Sequence, residues 1–191
     1  MSPTRQARFE ALFTEHYEAL HRYALRRAEP ALAEEVVNEA FLVAWRKLDQ
    51  VPEDPLPWLY ATAGHVLANR RREAGRHARR MAAAAADHGA RSGHDPGRRI
   101  APADASRDPA DRLAERDATL RAFAALKEPD REALRLVAWE RLSLADAARA
   151  AGVSRPAFAM RVHRARRRLA AHLREQGASL DLDFPLEPAD A

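Results

Sequence analysis

Over two separate stretches of this chain, apolar residues recur mainly at intervals of three and four. Between residues 8 and 28, Phe9, Leu12, Phe13, Tyr17, Leu20 and Ala24 fall on one face of an amphipathic helix that Pro30 brings to an end. Leu32, Val36, Val37, Ala40, Phe41, Ala44, Trp45 and Leu48 then trace a second helix, with the cleanest helical stripe in the sequence. Three prolines between Gln50 and Pro57 require a loop there. A third helix is predicted from about Trp58 to Arg72, with Leu59, Ala63, Val66 and Leu67 on its buried side. Three helices of this length can enclose a small core.

From Gly75 to Asp111 the pattern dissolves into an alanine run, Ala82 to Ala86, followed by Gly89, Gly93, Pro96, Gly97, Pro102 and Pro109. This reads as a flexible linker that the alanines allow to be helical at its start. Periodicity returns at Leu113, Leu120, Phe123 and Ala124, Pro129 stops that helix, and Leu134, Val137 and Ala138 mark the next. The expected fold is therefore all-α. Two small helical domains, 8–74 and 112–175, are joined by a linker over 75–111 and followed by a tail over 176–191.

Residues 142–169 carry a more specific arrangement. Ser143 is suited to cap a short helix whose inner face is Leu144, Ala147, Ala148 and Ala151, small enough to let a second helix approach closely. Gly152 can take the positive φ that ends this helix, and Val153 plugs the junction. Ser154 caps the next helix, and Pro156 falls in its first turn, where a missing N–H costs little. Phe158, Val162, Ala165 and Leu169 form its buried line. Helix, tight glycine turn and capped helix make a helix-turn-helix.

Charge sharpens this picture. Fifteen basic residues against eight acidic ones lie between 112 and 175, whereas the tail from 176 holds four acids and no base. The second helix of the motif contains Arg155, Arg161, Arg164, Arg166, Arg167 and Arg168 with no acid between 154 and 168. Solvated helix faces normally intersperse signs, so this face points to a polyanion. In a helix-turn-helix the N-terminal half of this helix enters the major groove, where arginine can pair with guanine, and the later arginines sit over phosphates. The duplex-contacting set is Ser154, Arg155, Phe158, Met160, Arg161, His163, Arg164, Arg166, Arg167 and Arg168.

Gly152-Val153-Ser154 followed by Arg161-Val162-His163-Arg164-Ala165-Arg166 resembles region 4 of the extracytoplasmic-function (ECF) group of sigma-70-family sigma factors. The resemblance implies that this helix reads the −35 promoter element. It departs at residues 155–160, where the family usually shows Glu-Gly-Thr-Val-Lys-Ser. In the first domain, residues 32–45 look like region 2.2 of the same family. The resemblance implies that Glu34, Glu35, Asn38 and Glu39 dock on the clamp helices of the largest subunit of core RNA polymerase. An ordinary solvated acidic face is the plainer reading of each of these residues taken singly. Trp58-Leu59-Tyr60-Ala61-Thr62-Ala63 is similar to the start of region 2.3, and Asn69-Arg70-Arg71-Arg72 to the end of region 2.4. Gly64 and His65 stand where the family usually has Arg and Asn. The family likeness implies that His65, Asn69, Arg70, Arg71 and Arg72 hold the −10 element as melted single strand. Trp58 is read as core, and Tyr60 is open between core and strand contact.

The implied partners are core RNA polymerase, including the flap of its second-largest subunit, promoter DNA and an anti-sigma factor. No cofactor and no enzymatic activity are implied. The chain has no cysteine, which excludes disulfides and thiolate chemistry. Its eight histidines lack ligand spacing on a shared face, so no metal site is expected. No glycine-rich phosphate loop or nucleophile elbow is present. No apolar run reaches the ~20 residues of a membrane span, and the segment Met1 to Arg8 is not a signal peptide. A cytoplasmic location is expected, without membrane insertion. The alternative is a stand-alone helix-turn-helix regulator, with residues 8–74 serving for dimerisation or sensing.

Overall fold

A computed structural model describes the backbone of residues 4–86 and 109–176, and the side chains of 4–82 and 117–176. The tail beyond Gln176 and most of the expected linker lie outside the described residues. Among those described, seven α-helices and one short 3-10 turn occur, with no strand. Contacts divide the chain into two compact units, residues 1–103 and 104–191.

The first unit holds α1 (Arg5–Leu25), α2 (Pro30–Arg46) and α3 (Leu56–Ala86), with the 3-10 turn Leu48–Gln50 between the last two. Thr4 caps α1, its side chain accepting the N–H of Ala7 at 3.2 Å. Pro30 does not close α1, which stops at Leu25, but opens α2, whose first turn needs no donor from it. The stripes anticipated on these helices meet in a core of Leu20, Tyr23, Ala24, Val36, Val37, Ala40, Phe41, Leu59, Ala63 and Leu67. Phe9, Phe13, Tyr17, Phe41 and Trp45 form a chain of ring contacts along α1 and α2. Tyr60 stacks on Tyr23 at 4.7 Å, and both are buried.

Helix α3 is longer than its apolar stripe. It was expected to stop near Arg72 but continues through Gly75 to Ala86. Beyond Leu67 it buries no residue up to Ala82, so packing does not sustain this stretch. Arginine and alanine have high helix propensity, and adding a residue to an existing helix needs no new nucleus. One glycine costs about 1 kcal/mol, too little to break such a run.

The second unit holds α4 (Pro109–Ala125), α5 (Glu128–Ala138), α6 (Leu144–Ala151) and α7 (Arg155–Glu175). Pro129 does not mark the end of α4, which stops at Ala125, but sits in the first turn of α5. Ala122, Leu126, Leu134, Ala165, Leu169 and Leu173 pack as one cluster, with Phe123 at its edge. The side of α7 facing α6 adds Phe158 and Val162, both fully buried.

Candidate nucleic-acid interface

Local hydrogen bonds fix both ends of α6. The hydroxyl of Ser143 accepts the N–H of Asp146 at 3.1 Å and donates to its carboxylate at 2.7 Å, which fixes the start of α6. Gly152 ends α6 at φ 65°, a conformation that a side chain would strain. Its N–H donates to the carbonyl of Arg149 at 3.1 Å, and the N–H of Val153 reaches back to Ala148 at 3.0 Å. Ser154 stands at the cap position of α7, yet its side chain makes no capping bond.

Ser154, Arg155, Met160, His163, Arg164 and Arg167 are exposed, Arg161 and Arg166 half-buried. Phe158 does not belong to this surface. It is 0 % exposed, on the same buried line of α7 as Val162, Ala165 and Leu169, and its place among duplex-contacting residues is corrected to the core. Arg168 is corrected in part. Its guanidinium bonds the carboxylate of Asp130, a buried residue on α5, so this arginine ties two helices together while half of its side chain stays in solvent. Arg164, Arg167, Arg168 and Arg174 border an open trough floored by Ala170 and Ala171. At the start of α6, burial opposes ionisation of Asp146. The Ser143 hydroxyl and the Arg149 guanidinium outweigh it and hold the carboxyl below its ordinary value.

In the first unit the expected strand-binding residues divide by angle around α3. Trp58, Thr62, His65, Asn69, Arg72 and Arg76 recur at spacings of three and four on the side away from Leu59, Ala63 and Leu67. Trp58 is half-buried rather than core, and Thr62 donates to its carbonyl at 2.9 Å. Arg72 bonds the Asn69 side-chain oxygen along this stripe. Arg70 and Arg71 leave it on opposite flanks. Arg70 reaches the carboxylates of Glu39 at 3.2 Å and Glu35 at 3.7 Å on α2. Arg71 donates to the carbonyl of Arg27 at 3.0 Å. Glu34, Glu35 and Asn38 are exposed and Glu39 is partly so.

Two features escaped the sequence reading. Arg27 is buried with its guanidinium 3.5 Å above the Tyr23 ring, and it donates to the Tyr23 carbonyl at 2.9 Å. Gly64 stands against the same tyrosine, where a Cβ would come within 3.1 Å of the hydroxyl oxygen. Tyr23 therefore occupies space that a side chain at 64 would otherwise take. No sequence signal links Gly64 to a tyrosine so far from it along the chain. Among the described residues, no three His, Cys, Asp or Glu side chains gather where they could share a metal ion. No described helix is long and apolar enough to cross a membrane.

A family model described as Sigma-70 region 2 matches residues 12–77, and one described as Sigma-70, region 4 matches residues 116–169. The chain belongs to the sigma-70 family. Its curated relatives include the ECF RNA polymerase sigma factor SigL of Mycobacterium tuberculosis, 38 % identical over 72 residues. That match covers 36 % of this chain and 41 % of the relative, so the chain spans about two-fifths of the relative's length. The extracytoplasmic-function name expected from the motifs is the name this relative carries. In fold, the chain resembles the sigma factor RpoE solved with the anti-sigma factor NepR from Bartonella quintana. The TM-score is 0.61 at 24 % identity, over 87 % of this chain and 96 % of that one. CnrH, solved with the cytosolic domain of CnrY, is similar over 87 % of this chain and 88 % of its own, with a TM-score of 0.55 at 24 % identity. A stand-alone helix-turn-helix regulator has no need of a sigma-70 region 2, and that alternative is set aside.

Proposed function

We propose that this sigma-70-family chain is a promoter-specificity subunit of RNA polymerase. One observation carries the reading: a region 2 module and a region 4 module occur in a single chain, each with a cationic outward face. In this reading, 8–74 binds core polymerase and the −10 element, 75–111 links the domains, and 112–175 binds the −35 element. Glu34, Glu35, Asn38 and Glu39 meet the clamp helices, and the second domain meets the flap. Arg164 and Arg161 are the base-reading arginines, while Arg167 and Arg174 lie over phosphates. His65, Asn69 and Arg72 face the opened strand, and Arg70 and Arg71 add charge at its flanks. The chain performs no chemistry on its substrate and works in the cytoplasm, where its polymerase is. One relative in fold is described as bound to an anti-sigma factor, which supports a protein antagonist here.

The deciding experiment is transcription in vitro with purified core enzyme and genomic fragments, followed by mapping of start sites. Start sites that depend on the chain and share upstream and −10 sequences are expected. A chain that neither binds core enzyme nor directs any start would overturn the reading.

A further inference from the structure

Met160 is the one large apolar side chain exposed on α7, at 55 %, and it stands in the middle of a cationic face. Phe158, Val162, Ala165, Leu169 and Leu173 fix the buried line of this helix. At roughly 100° per residue, Met160 falls opposite the centre of that line, with Ala157 and Arg164 beside it on the same outward strip. It lies in the second turn, within the half of a recognition helix that enters the major groove. Its neighbours Ala157 and Ala159 are short and leave Met160 room to approach base edges.

A thioether cannot donate a hydrogen bond and accepts only weakly. Against the N7 and O6 acceptors of guanine or the amino group of cytosine, it would displace water without replacing its bonds. The major groove offers one apolar group, the 5-methyl of thymine. Resting on the promoter reading above, we propose that Met160 selects a thymine in the upstream duplex by packing on that methyl. Arg164, one turn further along, reads an adjacent guanine. The preferred element thus carries a T at the step that Met160 meets.

The test uses the full chain with core polymerase and a duplex library randomised upstream of a fixed −10 segment. After selection, each thymine of the enriched element is replaced singly by deoxyuridine, which removes only the methyl. One such replacement should weaken wild-type binding about fourfold, the effect of burying one carbon. The same replacement should leave Met160→Ala unaffected, and Met160→Leu, which keeps an apolar side chain, should restore the discrimination. Circular dichroism of the variants checks that the helices are retained. An enriched element with no such thymine, or with every uridine effect equal in wild type and Met160→Ala, overturns the inference and leaves promoter recognition standing. Failure to enrich any upstream sequence removes base reading by α7 itself.

Discussion

Burial alone would make the Asp146 carboxyl harder to ionise, but Ser143 and Arg149 reverse the balance and lower its pKa. The sign of the pH dependence follows. The group is easier to ionise folded than unfolded, so its stabilisation is complete above its unfolded value of 3.8 and fades as pH falls through the folded value. Asp146→Asn should therefore cost about 0.5–1 kcal/mol at neutral pH. Amide hydrogen exchange within α6 measures it, and the gap from wild type should close below pH 4. A gap that persists undiminished at low pH would mean that the charge plays no part. Two arginines of α7, four residues apart, should separate cleanly in the same kind of assay. Arg168→Ala leaves buried Asp130 without its bonded guanidinium and should destabilise the second unit by about 1–3 kcal/mol. Arg164→Ala, exposed and outside that pair, should change stability by less than about 0.5 kcal/mol while weakening upstream-element-dependent transcription. Equal melting of the two variants would dissolve this division.

Among the elements, α2 and α3 share the Arg70 bridge to Glu35 and Glu39, with all three side chains substantially exposed. Exposed pairs of this kind contribute about 0–1 kcal/mol, so a partner surface can take over either side at little cost. Charge reversal at Glu35 and Glu39 should lower affinity for core polymerase at least tenfold, with helix content unchanged by circular dichroism. Undiminished affinity would return these acids to an ordinary solvated face. Long-range pairs of this sort mark what the sequence withholds. Arg70 and Glu39 are 31 positions apart and Arg168 and Asp130 are 38, and periodicity carries no information across such gaps. Local chemistry reads far better. The Ser143 cap, the Gly152 turn and the buried line of α7 are all where spacing and cap preferences place them. Phe158 fits both the buried line and the contact face by residue type, and its angle around the helix places it in the core. Helix α3 outruns its apolar stripe because a stripe reports where a helix packs, whereas propensity decides how far it runs beyond its packing.

At the scale of the molecule, residues 1–103 and 104–191 are two compact units of one chain, and the promoter reading requires both to act on one polymerase at once. Extended chain covers up to ~3.3 Å per residue, so the tether limits how far apart two engaged sites can lie. In that reading, being on one chain makes the second engagement intramolecular. The gain over independent modules can reach about 10²–10⁴-fold when the tether suits the span. Supplying residues 1–103 and 104–191 as separate polypeptides should therefore abolish the help that the upstream element gives to transcription, even with each piece folded. Raising the second piece to millimolar concentration should recover part of it, since that approaches the effective concentration of a short tether. Its direct duplex binding should fall steeply with salt, the logarithm of affinity dropping by about 0.9 per phosphate contact for each decade of salt. Full activity of the two pieces at the concentration of the intact chain would show that each module acts alone, and joint engagement of the promoter would have to be abandoned.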